Sequence, residues 1–177
     1  LMGLSVRDIS LNLLRWLFGA VFLFSGLTKA VDPVGTSVFV EKYLTSYGFD
    51  VLMEFALPIA VALATVELTL GIAVIINAFH RLTLRISLLF VALFTLITLL
   101  SATVLPIGDC GCFGDAVKLS PWATFWKNIG LLVVVVVLLR CDHRKYSTSL
   151  TQIGLCLVGV LFALGINLYA LRHQPLV

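Results

Sequence analysis

The sequence has few charged side chains. Only 12% of its 177 residues are Asp, Glu, Lys or Arg, whereas an ordinary soluble domain has roughly 25%. Hydrophobic residues make up 60% of the chain, and the mean hydropathy is +1.11. So short a chain cannot enclose this much apolar side chain in a water-soluble core. The composition therefore excludes a soluble enzyme and a nucleic-acid-binding protein, and it indicates an integral membrane protein.

Long segments with little or no charge account for most of the chain. A helix needs about 20 mainly apolar residues to cross a hydrocarbon core of about 30 Å, and five segments meet or nearly meet this requirement. They run from about Ile9 to Val31, Glu54 to Phe79, Leu82 to Leu105, Ser120 to Arg140 and Tyr146 to Arg172. Asp32-Pro33 breaks a helix, whereas Ser120-Pro121 is a good helix start. The sequence predicts an all-α membrane protein: a four-helix transmembrane bundle over residues 9–140 and a fifth transmembrane helix over residues 147–171.

The connections between the spans predict the orientation of the chain. Five spans place the two long connections, residues 32–53 and 106–120, on the same side of the membrane. Dense positive charge lies in the other connections, at Arg81 with Arg85 and from Arg140 to Lys145, and the positive-inside rule assigns that side to the cytoplasm. We therefore expect a multi-pass protein of the bacterial inner membrane with its N-terminus in the cytoplasm. The long connections and the C-terminus are then periplasmic.

Cysteine is also scarce, and two of the four cysteines lie one residue apart in the second long connection. A disulfide between Cys110 and Cys112 closes a tight ring, and Gly111 makes the bend less costly because glycine tolerates positive φ. Such a ring restricts the unfolded chain very little, and strained, exposed disulfides are readily reduced. These properties favour a redox centre over a structural crosslink. The residues expected to support the pair are Asp109, Gly111, Phe113, Gly114 and Asp115.

The residues alone are compatible with three interpretations of this cysteine pair: reversible thiol–disulfide exchange, a passive disulfide and a metal site. A metal site needs further ligands, and the outer-face histidine, His173, is far along the chain. Cys141 and Cys156 are expected to be inert thiols, because free cysteine behaves as a small hydrophobe. The spacing favours exchange, with Cys110 and Cys112 as the catalytic pair and with no metal.

Three charged residues within the spans attract attention because charge in a membrane is costly. Glu67 lies near the middle of the second span, where such residues usually face the bundle interior or a wet cavity. Arg15 and Lys29 lie on nearly the same face of the first span, and they can pair with Glu67 or extend to the membrane surface. Glu67 is thus either a structural group that bonds across helices or, with Arg15 and Lys29, part of a proton or quinone site. A transporter is the weakest interpretation, because no inverted repeat accompanies Glu67.

Several motifs of the chain resemble a known family. The segment RWLFGAVFLFSGLTKAVDP, residues 15–33, resembles the first-span signature of the DoxX-like membrane proteins. The CGCFGD segment is similar to the MauE-type branch of that family, which is named for methylamine utilisation, and it is the most specific part of the likeness. The likeness covers residues 15–140. The other residues that carry it are Pro58, Glu67, Gly71, Ser120, Pro121, Lys127 and Asn128.

The resemblance implies a DoxX-like four-helix bundle, here with a fifth helix, and a role in extracytoplasmic disulfide chemistry. It also implies a thioredoxin-like partner, either a separate extracytoplasmic protein or a domain removed from the C-terminal side of this chain. We therefore expect a membrane thiol–disulfide oxidoreductase that passes electrons between that partner and a second carrier through Cys110 and Cys112. A membrane quinone is the cofactor considered for the second step. The alternative is a non-catalytic membrane scaffold or assembly factor for an extracytoplasmic redox protein.

Overall fold

The structure is a computed structural model, and it describes residues 6–104, 120–142 and 146–173. Over these ranges the chain is helical and contains no strand. The elements are α1 (Val6–Val31), α2 (Pro33–Ser46), the 3₁₀ segment η1 (Asp50–Phe55), α3 (Ala56–Ile76), α4 (His80–Thr103), α5 (Pro121–Cys141) and α6 (Leu150–His173).

Five of these helices are long and apolar enough to cross a membrane: α1, α3 together with η1, α4, α5 and α6. Large apolar side chains are exposed along them, such as Leu89 on α4 and Leu161 on α6. Lipid tails are a suitable solvent for such surfaces. The protein is an all-α integral membrane protein that crosses the membrane several times, which confirms the fold class predicted from the sequence.

The first long connection is largely helical, a feature that the sequence analysis did not predict. The backbone of α1 ends before Asp32, whose Oδ1 accepts a hydrogen bond of 2.8 Å from the backbone N–H of Gly35. Pro33 takes the first helical position of α2, where its missing N–H is not needed. The same Asp-Pro pair that ends one helix therefore starts the next.

The two long connections leave the same end of the bundle, which we call the loop end. The hydroxyl of Tyr47, just after α2, donates a hydrogen bond of 3.3 Å to the backbone oxygen of Ile97 near the end of α4. The opposite end, which we call the turn end, carries the tight turn between α3 and α4. In that turn Asn77 has a positive φ of 58°, a conformation that asparagine tolerates at helix ends.

Glycines allow α1 and α3 to pack unusually close to each other. A Cβ atom added to Gly26 would lie 2.7 Å from the backbone nitrogen of Leu68 and 3.0 Å from the backbone oxygen of Ala64. A Cβ added to Gly71 would lie 3.0 Å from the backbone oxygen of Gly19. Small residues give membrane helices this kind of approach, and here they bring the last turns of α1 against the middle of α3.

We expect Gly26→Ala to destabilise the bundle, because the added methyl group meets the backbone of α3 and not the end of a movable side chain. Overpacking of this kind costs about 1–3 kcal/mol. Gly130→Ala in α5 is the matched control, since nothing lies within 4 Å of a Cβ added there. The control should keep the wild-type stability or gain up to about 1 kcal/mol from helix propensity. Thermal unfolding in one detergent measures both, and equal midpoints for the two variants would contradict the close packing.

Candidate functional site

A buried ion pair joins α1 to α3 inside the bundle. The Nζ atom of Lys29 donates to Glu67 Oε2 at 2.8 Å and to Glu67 Oε1 at 3.1 Å. It also donates to the hydroxyl of Ser25 at 2.8 Å. The side chains of Lys29 and Glu67 are only 4% and 7% exposed. Of the two alternatives for Lys29, the structure therefore shows pairing with Glu67 and not extension to the membrane surface.

The local sequence explains how these groups meet. Ser25 and Lys29 are four residues apart and so lie on one face of α1. Gly26 lies between them and permits the close approach of α3, which carries Glu67. An unpaired charge at this depth is expensive, whereas two opposite charges with additional hydrogen bonds compensate for part of that cost. Each charge thus makes the burial of the other tolerable.

A small cavity lies beside the ion pair, among α1, α3, α4 and α5. Its volume is about 30 Å³, which is room for about one or two water molecules. Ser25, Lys29 and Glu67 line it on one side, and Lys127 and Asn128 of α5 line it on another. Two lysines and one glutamate are thus among the residues that line it. We call it the polar cavity, because its walls carry hydrogen-bond donors and acceptors that suit water.

A larger cavity, which we call the apolar chamber, lies between α2, the turn that follows α2, α3 and α4, and it has a volume of about 450 Å³. Phe94 lines both the chamber and the polar cavity. Thr98 also lines the chamber, and its hydroxyl accepts a hydrogen bond of 3.5 Å from the side-chain amide of Asn128, which lines the polar cavity. The two spaces are therefore neighbours. The aromatic residues of the chamber walls are Phe39, Tyr43, Tyr47, Phe49 and Phe94.

Arg15 lies far from this site, at the turn end of α1. It is fourteen positions before Lys29, about 21 Å along a helix. Its Nη1 donates to the hydroxyl of Tyr146 at 3.5 Å, and that hydroxyl donates to Asp142 Oδ2 at 3.3 Å. The Nε2 atom of His80 lies 3.9 Å from the same carboxylate oxygen. The structure thus brings Lys29 to Glu67 and places Arg15 in a separate polar cluster.

The predicted catalytic pair, Cys110 and Cys112, lies outside the described residues. In the sequence this pair lies between α4 and α5. Residues of α4 line both cavities, and residues of α5 line the polar cavity. The hydroxyl of Ser120 accepts a hydrogen bond of 3.3 Å from the backbone N–H of Ala123, with Pro121 at the first helical position, so the predicted start of α5 is confirmed. The loop residues that also lie outside the described ranges are Asp109, Gly111, Phe113, Gly114 and Asp115.

Sequence reasoning identified Lys29 and Glu67 but missed three other parts of the site. Ser25 could have been found from its spacing of four residues before Lys29 on a predicted helix. Lys127 and Asn128 were noted for their family likeness and not as groups facing Glu67, although a polar pair inside a span is itself a signal. The chamber was missed because α2 was not predicted. Within the described ranges, no group of three or more His, Cys, Asp or Glu residues is placed to hold a metal ion.

The fold and this site define a class of protein, an all-α multi-pass membrane protein whose bundle encloses a buried ion pair between two cavities. Residues 7–140 match the family described as methylamine utilisation protein MauE, and the chain belongs to that family. It is also similar to Protein TlpB of Flavobacterium psychrophilum, with 31% identity over 159 residues, which cover 84% of this chain and 42% of that protein. The chain thus spans about two-fifths of the length of this relative. No solved structure matches the chain.

We expect Lys29→Met to destabilise the protein strongly, because it leaves the Glu67 carboxylate buried without its ammonium partner. Removing one partner of a buried pair costs about 3–5 kcal/mol, whereas replacing both by apolar side chains is often close to neutral. The double variant Lys29→Met/Glu67→Met should therefore be more stable than Lys29→Met alone. Thermal unfolding of the purified variants measures the difference.

The control for this comparison is Lys42→Met, which removes an exposed ammonium from α2 and should leave the unfolding midpoint close to that of the wild type. If Lys29→Met and Lys42→Met had the same midpoint, the ion pair would not be holding α1 against α3. A double variant less stable than both single variants would contradict the compensation of the two charges.

Proposed function

We propose that this MauE-family protein is a membrane thiol–disulfide oxidoreductase in which Cys110 and Cys112 form the redox pair. The observation that carries the proposal is the CGC spacing in the connection between α4 and α5. A disulfide over so short a span contributes little stability and is easily reduced, so its chemical use lies in exchange. The family match supports the proposal because it includes both cysteines and both helices that flank them. The wider DoxX-like likeness and the specific role of the CGCFGD segment stay predictions from the sequence.

The exchange proceeds through a mixed disulfide with the partner. A thiolate attacks one sulfur of a disulfide, a new S–S bond forms, and the old S–S bond breaks to release a thiolate that takes up a proton. The second thiol of the pair then attacks the mixed disulfide, so that two electrons have passed between the proteins. We propose a thioredoxin-like extracytoplasmic protein as the partner, in trans or as a further domain of a longer chain. The relative reduction potentials set the direction of transfer.

A second carrier must exchange the same two electrons if the pair is to turn over. We propose a carrier that dissolves in the bilayer, and Glu67 with Lys29 as the groups that handle protons beside it. The support is the position of Glu67 in the wall of a cavity that has room for water. Proton transfer accompanies two-electron chemistry of thiols, so an ionisable group at this depth has a chemical use beyond packing. The connection that bears the cysteines is then periplasmic, as the positive-inside rule predicts.

A non-catalytic scaffold is the second candidate function, and one observation favours it. Lys29 and Glu67 bind each other through both carboxylate oxygens, as groups with a purely structural role also do. In that case the bundle positions an extracytoplasmic redox protein, and the CGC segment is a docking element. The two candidates differ in one measurable property, the redox state of Cys110 and Cys112.

We expect the cysteine pair to titrate between dithiol and disulfide as a single two-electron couple. The full chain in lipid nanodiscs is equilibrated in thiol buffers from about −100 to −350 mV, a window that brackets known carrier potentials. Free thiols are then alkylated, and mass spectrometry locates the label. The variant Cys141→Ser/Cys156→Ser keeps the transition, whereas Cys110→Ser/Cys112→Ser loses it.

The scaffold is favoured if labelling of Cys110 and Cys112 does not change anywhere in this window. It is also favoured if Cys110→Ser/Cys112→Ser supports full disulfide formation in client proteins. Cys141→Ser/Cys156→Ser is the matched control in that second assay, because it removes the same number of thiols from α5 and α6.

A further inference from the structure

We propose that the apolar chamber between α2, the turn that follows α2, α3 and α4 binds an isoprenoid quinone of the membrane, with the quinone ring at the loop end beside Tyr47 and Thr98. This inference rests on the proposed function, because it identifies the chemical class and the binding site of the second electron carrier. Three properties of the chamber carry it: its size and lining, its opening toward lipid, and the polar groups at one end.

The size and lining of the chamber suit a ring with an apolar chain. Its volume of about 450 Å³ lies within the range of about 300–1,000 Å³ that is typical of small-molecule sites. Aromatic side chains of two helices and of the turn after α2 line it, including Phe39 on α2, Phe49 in the turn and Phe94 on α4. Aromatic rings stack favourably on another ring. Leu63 and Leu93 add aliphatic walls that suit an isoprenoid chain.

The chamber is open to the surroundings of the bundle. Leu93 and Phe49 both line it, and they are 55% and 56% exposed. Leu93 lies near the middle of α4, a helix that spans the membrane, so its exposed side faces lipid tails. A carrier dissolved in the bilayer can therefore enter from the side, without crossing the loop end.

The polar groups of the chamber lie toward the loop end. The hydroxyl of Tyr47 is 3.3 Å from the backbone oxygen of Ile97 and 3.4 Å from the hydroxyl of Ser101. Strong O–H···O bonds are about 2.5–3.0 Å long, so these long contacts leave the Tyr47 hydroxyl able to turn and donate to a quinone carbonyl. Thr98 lies one turn of α4 from Ser101 and also lines the chamber. We therefore expect the quinone ring to lie at the loop end of the chamber and the isoprenoid chain to extend toward Leu93.

This orientation puts the ring at the end of the bundle from which the cysteine connection leaves. Ser101, which contacts Tyr47, is three positions before Val104, the last described residue after α4. Cys110 follows six positions later, within about 20 Å of extended chain. The redox pair and the ring are therefore tethered to the same end of α4.

The redox step balances with the quinone as the single acceptor. The two S–H bonds of Cys110 and Cys112 break, one S–S bond forms, and two electrons and two protons leave the pair. The quinone takes up the two electrons and two protons, and its two carbonyl oxygens become the hydroxyls of a quinol. The reverse step oxidises the quinol and reduces the disulfide. Phe94 separates the chamber from the polar cavity, where Glu67 and water can exchange these protons.

The test uses an azido-1,4-benzoquinone with a decyl chain as a photoactivatable probe. The full chain is reconstituted in phosphatidylcholine nanodiscs that lack quinone, illuminated with the probe, digested and analysed by mass spectrometry. We expect label on peptides of α2 and α4, and competition by the unlabelled decyl-benzoquinone. Leu63→Trp, which places a bulky ring in the wall of the chamber, should lower labelling about tenfold, the change expected when a few ring atoms of the probe lose their contacts.

Leu164→Trp is the matched control. It is the same substitution in a second lipid-facing groove, between α3 and α6, and it should keep wild-type labelling. Tyr47→Phe retains the shape of the chamber and lacks the hydroxyl, so it should weaken probe binding several-fold, with only the small fall in the unfolding midpoint that follows from the lost hydrogen bond to Ile97. Equal labelling of Leu63→Trp and Leu164→Trp overturns the site, and so does label that an excess of phospholipid removes but the unlabelled quinone does not.

The same preparation separates a failure of this inference from a failure of the proposed function. Thiol titration of Cys110 and Cys112 needs no quinone, so a pair that titrates beside an unlabelled chamber overturns the quinone site alone. A labelled chamber beside an inert pair overturns the oxidoreductase, and with it the role of the quinone as its electron carrier. Quinol formation by the reduced wild type, and its loss in both Leu63→Trp and Cys110→Ser/Cys112→Ser, supports the two together.

Discussion

The contact between Lys29 and Glu67 is the constraint that links the depth and the facing surfaces of α1 and α3, because neither charge can be buried without the other. A charged group in the interior of a membrane bundle is tolerated only when another group compensates it, so each residue requires the other at the right depth and on the right face. Gly26 and Gly71 make this possible, because without Cβ atoms the backbones of α1 and α3 come close enough for the lysine to reach across. The last turns of α1 and the middle of α3 therefore meet through close glycine packing together with one buried ion pair, and the polar cavity lies beside that pair.

The bundle has different chemistry at its two ends. At the turn end, hydrogen bonds and close charges join four polar side chains, those of Arg15, His80, Asp142 and Tyr146. These contacts hold the short connections of the bundle together. At the loop end, α2 packs beside α3 and encloses an apolar chamber instead of a compact core. The turn end is thus closed by polar contacts, whereas the loop end bears a cavity that is open to its surroundings.

The two cavities complement each other physically. One is small, polar and able to hold water beside a carboxylate, and the other is large, aromatic and open to lipid. Phe94 and the hydrogen bond between Thr98 and Asn128 form the boundary between them. Electron carriers of the bilayer need an apolar site, whereas the protons that accompany two electrons need polar groups. The proposed function needs both kinds of site, and the apolar chamber and the polar cavity lie next to each other. The helices α4 and α5, which flank the CGC segment, contribute to their walls.

The amino-acid sequence alone determined the membrane class, the five candidate spans and the unusual intramembrane residues Glu67 and Lys29, whereas the role of Cys110 and Cys112 stays a prediction. It could do so because hydropathy, proline and charge act locally along the chain. Tertiary structure decided that Lys29 and not Arg15 meets Glu67, since that choice depends on which turns of α1 and α3 face each other. Tertiary structure also decided that residues 33–46 form a helix and that the apolar chamber lies between this helix, α3 and α4. The apolar pattern of α2 is too weak to predict the helix by itself, because the helix is stabilised by packing on its neighbours.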